Sequence, residues 1–162
     1  MANVSKICTS FKLELLCGVH CLGKPSGMTN VPAAATDTIN AALYYPAANL
    51  DATTTVYVSG ANIELPTVSG GYTVGGVAVT NANAPVVMPV TTGTTATWQP
   101  SAAIAWSSLS ATAFDAVLLY NVSKGNKAIA VFNFGSTTIT ASAFSLTMPA
   151  VGATTSLIQL GP

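Results

Sequence analysis

From residue 39 to residue 160 the chain alternates apolar with small polar residues in short runs, and Gly, Pro, Asn or Ser interrupts them at intervals of roughly 8–12 residues. A period of two places every second side chain on one face of a sheet, so this rhythm demands strands. Ile39, Ala41, Leu43 and Tyr45 form the first run, ended by Pro46. Residues 53–58 are β-branched and predict a second strand, and residues 72–80 a third, bent at Gly75-Gly76. Residues 81–93, with Pro85, Pro89 and Gly93, read as a long loop of the kind that often touches something outside its own domain.

The C-terminal half repeats the pattern. Residues 94–99 and 102–106 predict two short strands separated by Pro100. In 112–121, Phe114, Ala116, Leu118 and Tyr120 share one face, and Ala113, Asp115, Val117, Leu119 and Asn121 the other. Ser123-Lys124-Gly125-Asn126 predicts a hairpin turn into a return strand over 127–134. A turn at Gly135-Ser136, an alternating run at Phe144, Leu146 and Met148, and a closing strand over 156–160 complete the chain. The expected fold is mainly β, an antiparallel β-sandwich or barrel-like domain.

Only residues 9–22 carry a helical pattern. Phe11, Leu15 and Leu22 fall near a 3.6 period, widened by Leu16 and Val19, with Thr9 or Ser10 as the cap and Gly18 as a stop or a weak point. Lys6, Lys12 and Glu14 fall on the expected wet side. The expected division is therefore 1–27, a short N-terminal α-helix and a turn-rich linker (residues 23–27), followed by a β domain over 28–162.

Composition decides the surroundings. A soluble chain of this length carries roughly 25% charged residues, whereas here only 6% are charged, five Lys and five carboxylates. An exterior of Thr, Ser, Asn, Gly and Ala costs little to desolvate, which fits life in an assembly or in a membrane. No apolar run approaches the ~20 residues of a spanning helix. The aromatics are too scattered for the girdles of an outer-membrane barrel. Lys12 and Glu14 break the only leader-like stretch. Assembly is the expectation, with no membrane. The lack of arginine and five scattered lysines argue against a nucleic-acid partner, which needs several phosphates neutralised.

Chemistry-bearing residues are few. Cys8, Cys17, His20 and Cys21 are of zinc-ligand type, and on a helix 17, 20 and 21 would share a face. Structural zinc sites use short loop or hairpin pairs instead, so these residues read as packing thiols, and no cofactor or metal is expected. Three cysteines make no disulfide framework and point to folding in a reducing cytoplasm. A nucleophile would need His20, the single histidine, close to Asp37, Asp51 or Asp115. No Gly-x-Ser-x-Gly surrounds a serine, and Gly70–Gly76 lacks the Gly-Lys-Ser/Thr ending of a phosphate loop. Asp115, alone in an apolar strand, reads as an edge guard or as a partner for Lys124 or Lys127. The chain is not expected to be an enzyme.

Ser10-Phe11-Lys12 with Glu14-Leu15-Leu16 and Gly18-Val19-His20, then Leu43-Tyr44-Tyr45, Leu50-Asp51-Ala52-Thr53-Thr54 and Gly71-Tyr72-Thr73-Val74-Gly75-Gly76, resemble small virion structural proteins of tailed bacteriophages. So do Trp106, Leu119-Tyr120-Asn121, Lys124-Gly125-Asn126-Lys127-Ala128, Phe134-Gly135 and Phe144-Ser145-Leu146-Thr147-Met148-Pro149-Ala150. Their order over most of the chain carries the resemblance, and Cys17 and Cys21 depart from it. It implies a virion component, made and folded in the host cytoplasm. The sharpest expectation is a capsid decoration or cement protein, bound to the major capsid protein or other virion proteins and homo-oligomeric. A detachable N-terminal segment would reach a neighbour. The expected interface residues are Phe11, Leu15 and Val19 of that segment, Val86, Val87 and Met88 of the loop, and Trp98. The alternatives are a tail or head–tail component (knob, fibre base or tube) and a receptor- or carbohydrate-binding module using Trp98 and Trp106.

Overall fold

Gly125 and Asn126 adopt left-handed conformations, with φ of 72° and 62°, directly after a 3₁₀ turn at Val122–Lys124. That geometry suits glycine and asparagine and folds the chain back on itself. The result dominates the computed structural model, which describes residues 2–23, 36–67, 71–81, 84–88, 93–152 and 154–161. In chain order the elements are β1 (Lys6–Ile7), α1 (Thr9–Leu16), β2 (Ile39–Tyr44), β3 (Val77–Ala78), β4 (Val86–Met88), β5 (Thr95–Trp98), β6 (Ile104–Asn121), β7 (Lys127–Leu146) and β8 (Ile158–Leu160). β6 and β7, of 18 and 20 residues, form one antiparallel hairpin.

Every pairing among the described residues is antiparallel. A five-stranded sheet has the order β1-β7-β6-β2-β3, and a three-stranded sheet the order β4-β5-β8. The five-stranded sheet ends on β1 and β3, which do not pair with each other, so it is open and not a closed barrel. The mainly β, antiparallel fold with one short N-terminal helix agrees with the sequence pattern.

Close to the turn the hairpin is covered on both faces. Tyr120 stacks on Tyr57, with ring centroids 4.4 Å apart, while the next residue, Asn121, bonds to His20. Neighbouring strand residues face opposite sides, so the chain around Tyr57 covers one face and the helical segment the other. Phe114 through Asn121 and Ala128 through Val131 are consequently buried at every position. The alternation in 112–121 is real, but it separates two buried faces.

Several boundaries differ from the sequence reading, each for a local reason. The helix covers 9–16 and not 9–22. Gly18, at φ 68°, lets its own N–H reach the Leu15 carbonyl (3.1 Å) and the Val19 N–H reach the Glu14 carbonyl (2.9 Å), a glycine-dependent helix stop. Neither Thr9 nor Ser10 caps it; the capping position is Cys8, with no side-chain bond. Leu16 is exposed instead of widening the stripe. Residues 53–58 form no strand, because the Asp51 carboxylate takes the Thr53 N–H and hydroxyl (both 2.7 Å) into a turn, leaving one bridge at Val56. Pro100 does precede a strand, but 104–121 runs unbroken. The turn predicted at Gly135-Ser136 is a bulge at φ 83° within continuous β7, since β6 supplies partners on both sides of it. The loop predicted over 81–93 contains β4, paired with β5.

The N-terminal segment is fastened to the sheet. Lys6 and Ile7 pair with Val131 and Ala130, Cys8 and Phe11 lie in the core, and Asn3 bonds residues from three other parts of the chain. It therefore does not have the character of a detachable arm. The linker at 24–27 and the boundary expected at 27/28 lie outside the described residues.

Two glycines separate space from conformation. A Cβ on Gly76 (φ 70°) would lie 1.8 Å from the Ala41 carbonyl oxygen, whereas a Cβ on Gly135 (φ 83°) would meet nothing within 4 Å. Gly76→Ala is expected to prevent β3 from docking on β2 and to abolish the cooperative urea transition. Gly135→Ala carries only the left-handed penalty of about 1–2 kcal/mol, read as a shifted midpoint with unchanged slope.

Candidate functional site

Four charged residues, Glu14, Asp37, Lys124 and Lys127, meet at the turn end of the hairpin. Glu14, on the last turn of α1, accepts bonds from Lys127 at the start of β7 and from His20 Nε2 (2.8 Å). The other ring nitrogen of His20 accepts from Asn121 Nδ2 (2.9 Å), and that amide also donates to Asp37 (2.8 Å). Asp37 further takes the Cys21 N–H (2.7 Å) and lies 3.5 Å from Lys124. Phe11 packs against the His20 ring, 4.8 Å between centroids. The constellation thus brings His20 near Asp37 through Asn121. However, neither ring nitrogen bonds a hydroxyl or thiol among the described residues, so what it does is fasten the helical segment to the hairpin.

The four zinc-type residues are not brought together. Because the helix stops at Leu16, residues 17, 20 and 21 share no helical face, and both His20 nitrogens are engaged. Cys8 is buried, Cys17 exposed and Cys21 half-buried. No group of three metal-ligating side chains forms among the described residues. Burial, helped by the nearby Asp51 carboxylate, pushes the Cys8 thiol up to about 12, which suits a packing role.

Asp115 is neither an edge guard nor a partner of Lys124 or Lys127. It is buried, and its oxygens accept from the amides of Asn3 (2.6 Å) and Asn133 (3.0 Å). Lys124 and Lys127 are instead engaged by Asp37 and Glu14. Glu64, also buried, accepts from the Tyr57 and Tyr72 hydroxyls and the Gly75 N–H, all at 2.7 Å. Burial first, then bonding to that carboxylate, raises the Tyr57 and Tyr72 hydroxyls above their ordinary range. Glu64 borders an open depression of about 450 Å³ with Tyr45, Asn62 and Val74, but both its oxygens face these donors.

The outer hairpin and the smaller sheet are built without charge. Residues 65–114 and 128–162 contain no Lys, Arg, Asp, Glu or His. They supply β4, β5, β8 and the outer lengths of β6 and β7, 104–113 and 135–146, as well as β3, which lies at the turn end, where Asn40 pairs with both Ala78 and Tyr120. Ser107, Ser110, Thr112, Ser136, Thr138 and Thr140 are exposed there. Ile104 and Leu146, at the outer end of the ladder, line an apolar groove of about 120 Å³ with Val117, Phe132, Phe134 and Leu157. The end of the β6–β7 ladder away from the turn, together with the smaller sheet, is thus a neutral end of the fold in the sense that it carries no charged side chain.

Of the expected interface residues, Val86, Val87, Met88 and Trp98 belong to the neutral smaller sheet, and Phe11, Leu15 and Val19 do not. Phe11 is in the core, held there by the His20 ring and the sheet. Leu15 and Val19 are half-buried. Trp98 is 3% exposed, with its indole N–H directed at Asn81 (3.2 Å), and Trp106 is 2% exposed and stacked on Phe144. The tryptophans therefore form no exposed platform, because each is inward-facing on its strand. Val86, Val87 and Met88 form β4, at the edge of the smaller sheet within the neutral end. The signal outside that reading is positional: the gap in charge after residue 64, resumed only at Asp115 and the hairpin turn.

Two measurements check these assignments. Although its partial burial acts in the opposite sense, bonds from Lys127 and His20 hold the Glu14 carboxyl below its ordinary 4.5. A carboxyl held low in the folded state contributes stability that is complete above 4.5 and is lost as the pH falls through the lower folded value. Urea midpoints are expected to decline below that pH, and less steeply in Glu14→Gln. Under native conditions a thiol reagent is expected to label Cys17 at once and Cys8 only on unfolding, as mass spectrometry of the labelled peptides will read.

Comparison with protein-family models, with curated proteins and with solved structures gives no match for this chain.

Proposed function

We propose that the chain is a non-enzymatic structural subunit of a bacteriophage virion, a capsid decoration or cement protein that binds major capsid subunits through its neutral end. The single observation that carries this reading is the sorting of charge: every formal charge belongs to residues 6–64 or 115–127, and none to the outer hairpin or the small sheet. A surface of Ser, Thr and Ala sheds its water cheaply, because no ion has to be desolvated. It makes hydrophobic and hydrogen-bonded contacts that need no counter-charge.

The charge-free exterior supports an assembled life in a second way. Ten charged side chains serve a surface of 8136 Å², and Asp37, Glu64 and Asp115 are buried. A free soluble domain keeps mixed charge over its surface to stay dispersed. The resemblance of the ordered segments to small virion proteins of tailed phages points the same way. A tail or head–tail position satisfies the same surface chemistry, and copy number separates the two: a shell protein is present in many copies, a tail component in the few set by the tail's rotational symmetry.

Binding to purified particles is expected to persist from roughly 0.1 to 1 M salt, although the screening length falls from about 10 to 3 Å over that range. Co-sedimentation with particles reads this directly, and release by salt alone would sink the proposed contact. Densitometry of purified virions reads the copy number.

A further inference from the structure

The outer length of β7 is an unclaimed edge. β1 pairs with β7 only at Ala130 and Val131, and β6 occupies the other side of the strand. Over residues 135–146 no strand among the described residues lies on the outer side of β7 in either sheet. The hydrogen bonds beyond the ladder that are described there are few: Gly135 N–H to Asn133 Oδ1, Thr137 Oγ1 to the Gly135 carbonyl, and, toward β6, Ala113 N–H to Thr138 Oγ1 and Ala141 N–H to Ser110 Oγ. An edge of this length spans about 40 Å, twice an ordinary strand.

Such an edge is normally guarded by Lys, by Pro, by brevity or by cover. The segment Gly135-Ser-Thr-Thr-Ile-Thr-Ala-Ser-Ala-Phe-Ser-Leu146 has no charge and no proline. The two outermost strands of the larger sheet, β1 and β3, are two residues long and leave almost nothing to pair with. Only one device acts on the long edge. The β6–β7 register shifts at four places between Trp106 and Ala116, and Ala141 sits at φ 44°. Bulges increase local twist, so a flat foreign strand cannot follow this edge along its length.

A second copy of the same strand can. It brings the same bulges, the same twist and the same lack of charge. An antiparallel edge paired with itself also closes about a twofold axis and leaves no further edge to propagate. We infer that the outer edge of β7, residues 135–146, joins two copies of this chain by antiparallel strand addition, which extends the hairpin into a continuous sheet across the dimer. This deepens the reading of the neutral end as an assembly surface, on which it rests, by naming one partner for it.

Ser136 and Thr140 are exposed and hold no described hydrogen bond, so the Ser136→Lys/Thr140→Lys chain tests the edge without touching the core. Sedimentation equilibrium of the full-length chain is expected to show a dimer for the native sequence and at least tenfold weaker association for the lysine chain, with unchanged circular dichroism and thermal midpoint. An equimolar mixture of the lysine chain with Ser136→Glu/Thr140→Glu is expected to restore association, because only copy-to-copy pairing brings the two edges together. Amide exchange over 135–146 is expected to slow as native concentration rises, a readout that stands even where a variant misfolds. A native chain that stays monomeric at its solubility limit, or a lysine chain that dimerises as well as the native one, overturns the inference. A monomer that still binds particles would end the pairing alone, and a dimer that never enters particles would end the virion role alone.

Discussion

One backbone ladder, between β6 and β7, fixes where everything else sits. Its turn is set by Gly125 and Asn126, and its register runs from Asn121↔Lys127 to Ile104↔Leu146. Close to the turn, β2, β1, α1 and the chain around Tyr57 find both of its faces and both of its edges, and residues there are buried without interruption. Farther out the same ladder is covered on one side only: Ile104, Trp106 and Leu109 are buried and Gly71 lies against the Ser108 backbone, while Ser107, Ser110, Ser136 and Thr140 are exposed. A two-stranded ribbon is marginal on its own in water, so the outer half depends on the buried half for its order. An aromatic cluster of Trp106, Phe114, Phe134 and Phe144 stiffens it further.

The buried half is specified by polar groups as much as by hydrophobic ones. Burying a carboxylate costs several kcal/mol unless its oxygens are satisfied. Asp115 is met by two asparagine amides and Glu64 by two tyrosines and a backbone N–H. The polar links reach far along the sequence, Asn3 to Asp115 across 112 positions and Asn121 to His20 across 101. A strand shifted by one residue would present these oxygens to the wrong face. The carboxylates therefore act as register pins, which accounts for their survival inside a chain that has discarded charge almost everywhere else.

How much of this was legible follows from what alternation encodes. Ile39 through Tyr45 and Phe114 through Tyr120 announce strands because side-chain periodicity is local. What covers each face is not local: the alternation of Val117 and Leu118 looks the same whether one face is wet or both are dry. Gly135 reads as a turn in isolation, and only the partner strand on both sides makes it a bulge. His20 illustrates the same limit at the candidate site. Its fate depends on Glu14, six residues away, and on Asn121, and no spacing rule links the latter to it. The cysteines misled for a simpler reason. Their helical spacing presumed a helix that Gly18 ends before Cys21 is reached.

A strand edge without charge faces two opposite hazards, and the outer hairpin answers both with one feature. Uncharged segments rich in β-branched residues stack into flat, endless ladders. Charges would prevent that, but at the cost of any dry contact, since each would have to be desolvated or paired. Bulges work differently, because they leave the surface neutral and alter its shape. Ala113 and Ala141, held at φ 55° and 44°, accept about 1–2 kcal/mol each of left-handed strain to make the ribbon twist. A twisted neutral edge is closed to indiscriminate neighbours by geometry and remains open to a partner of matching twist. On the proposed reading, that strain supplies the selectivity for which other surfaces use charge.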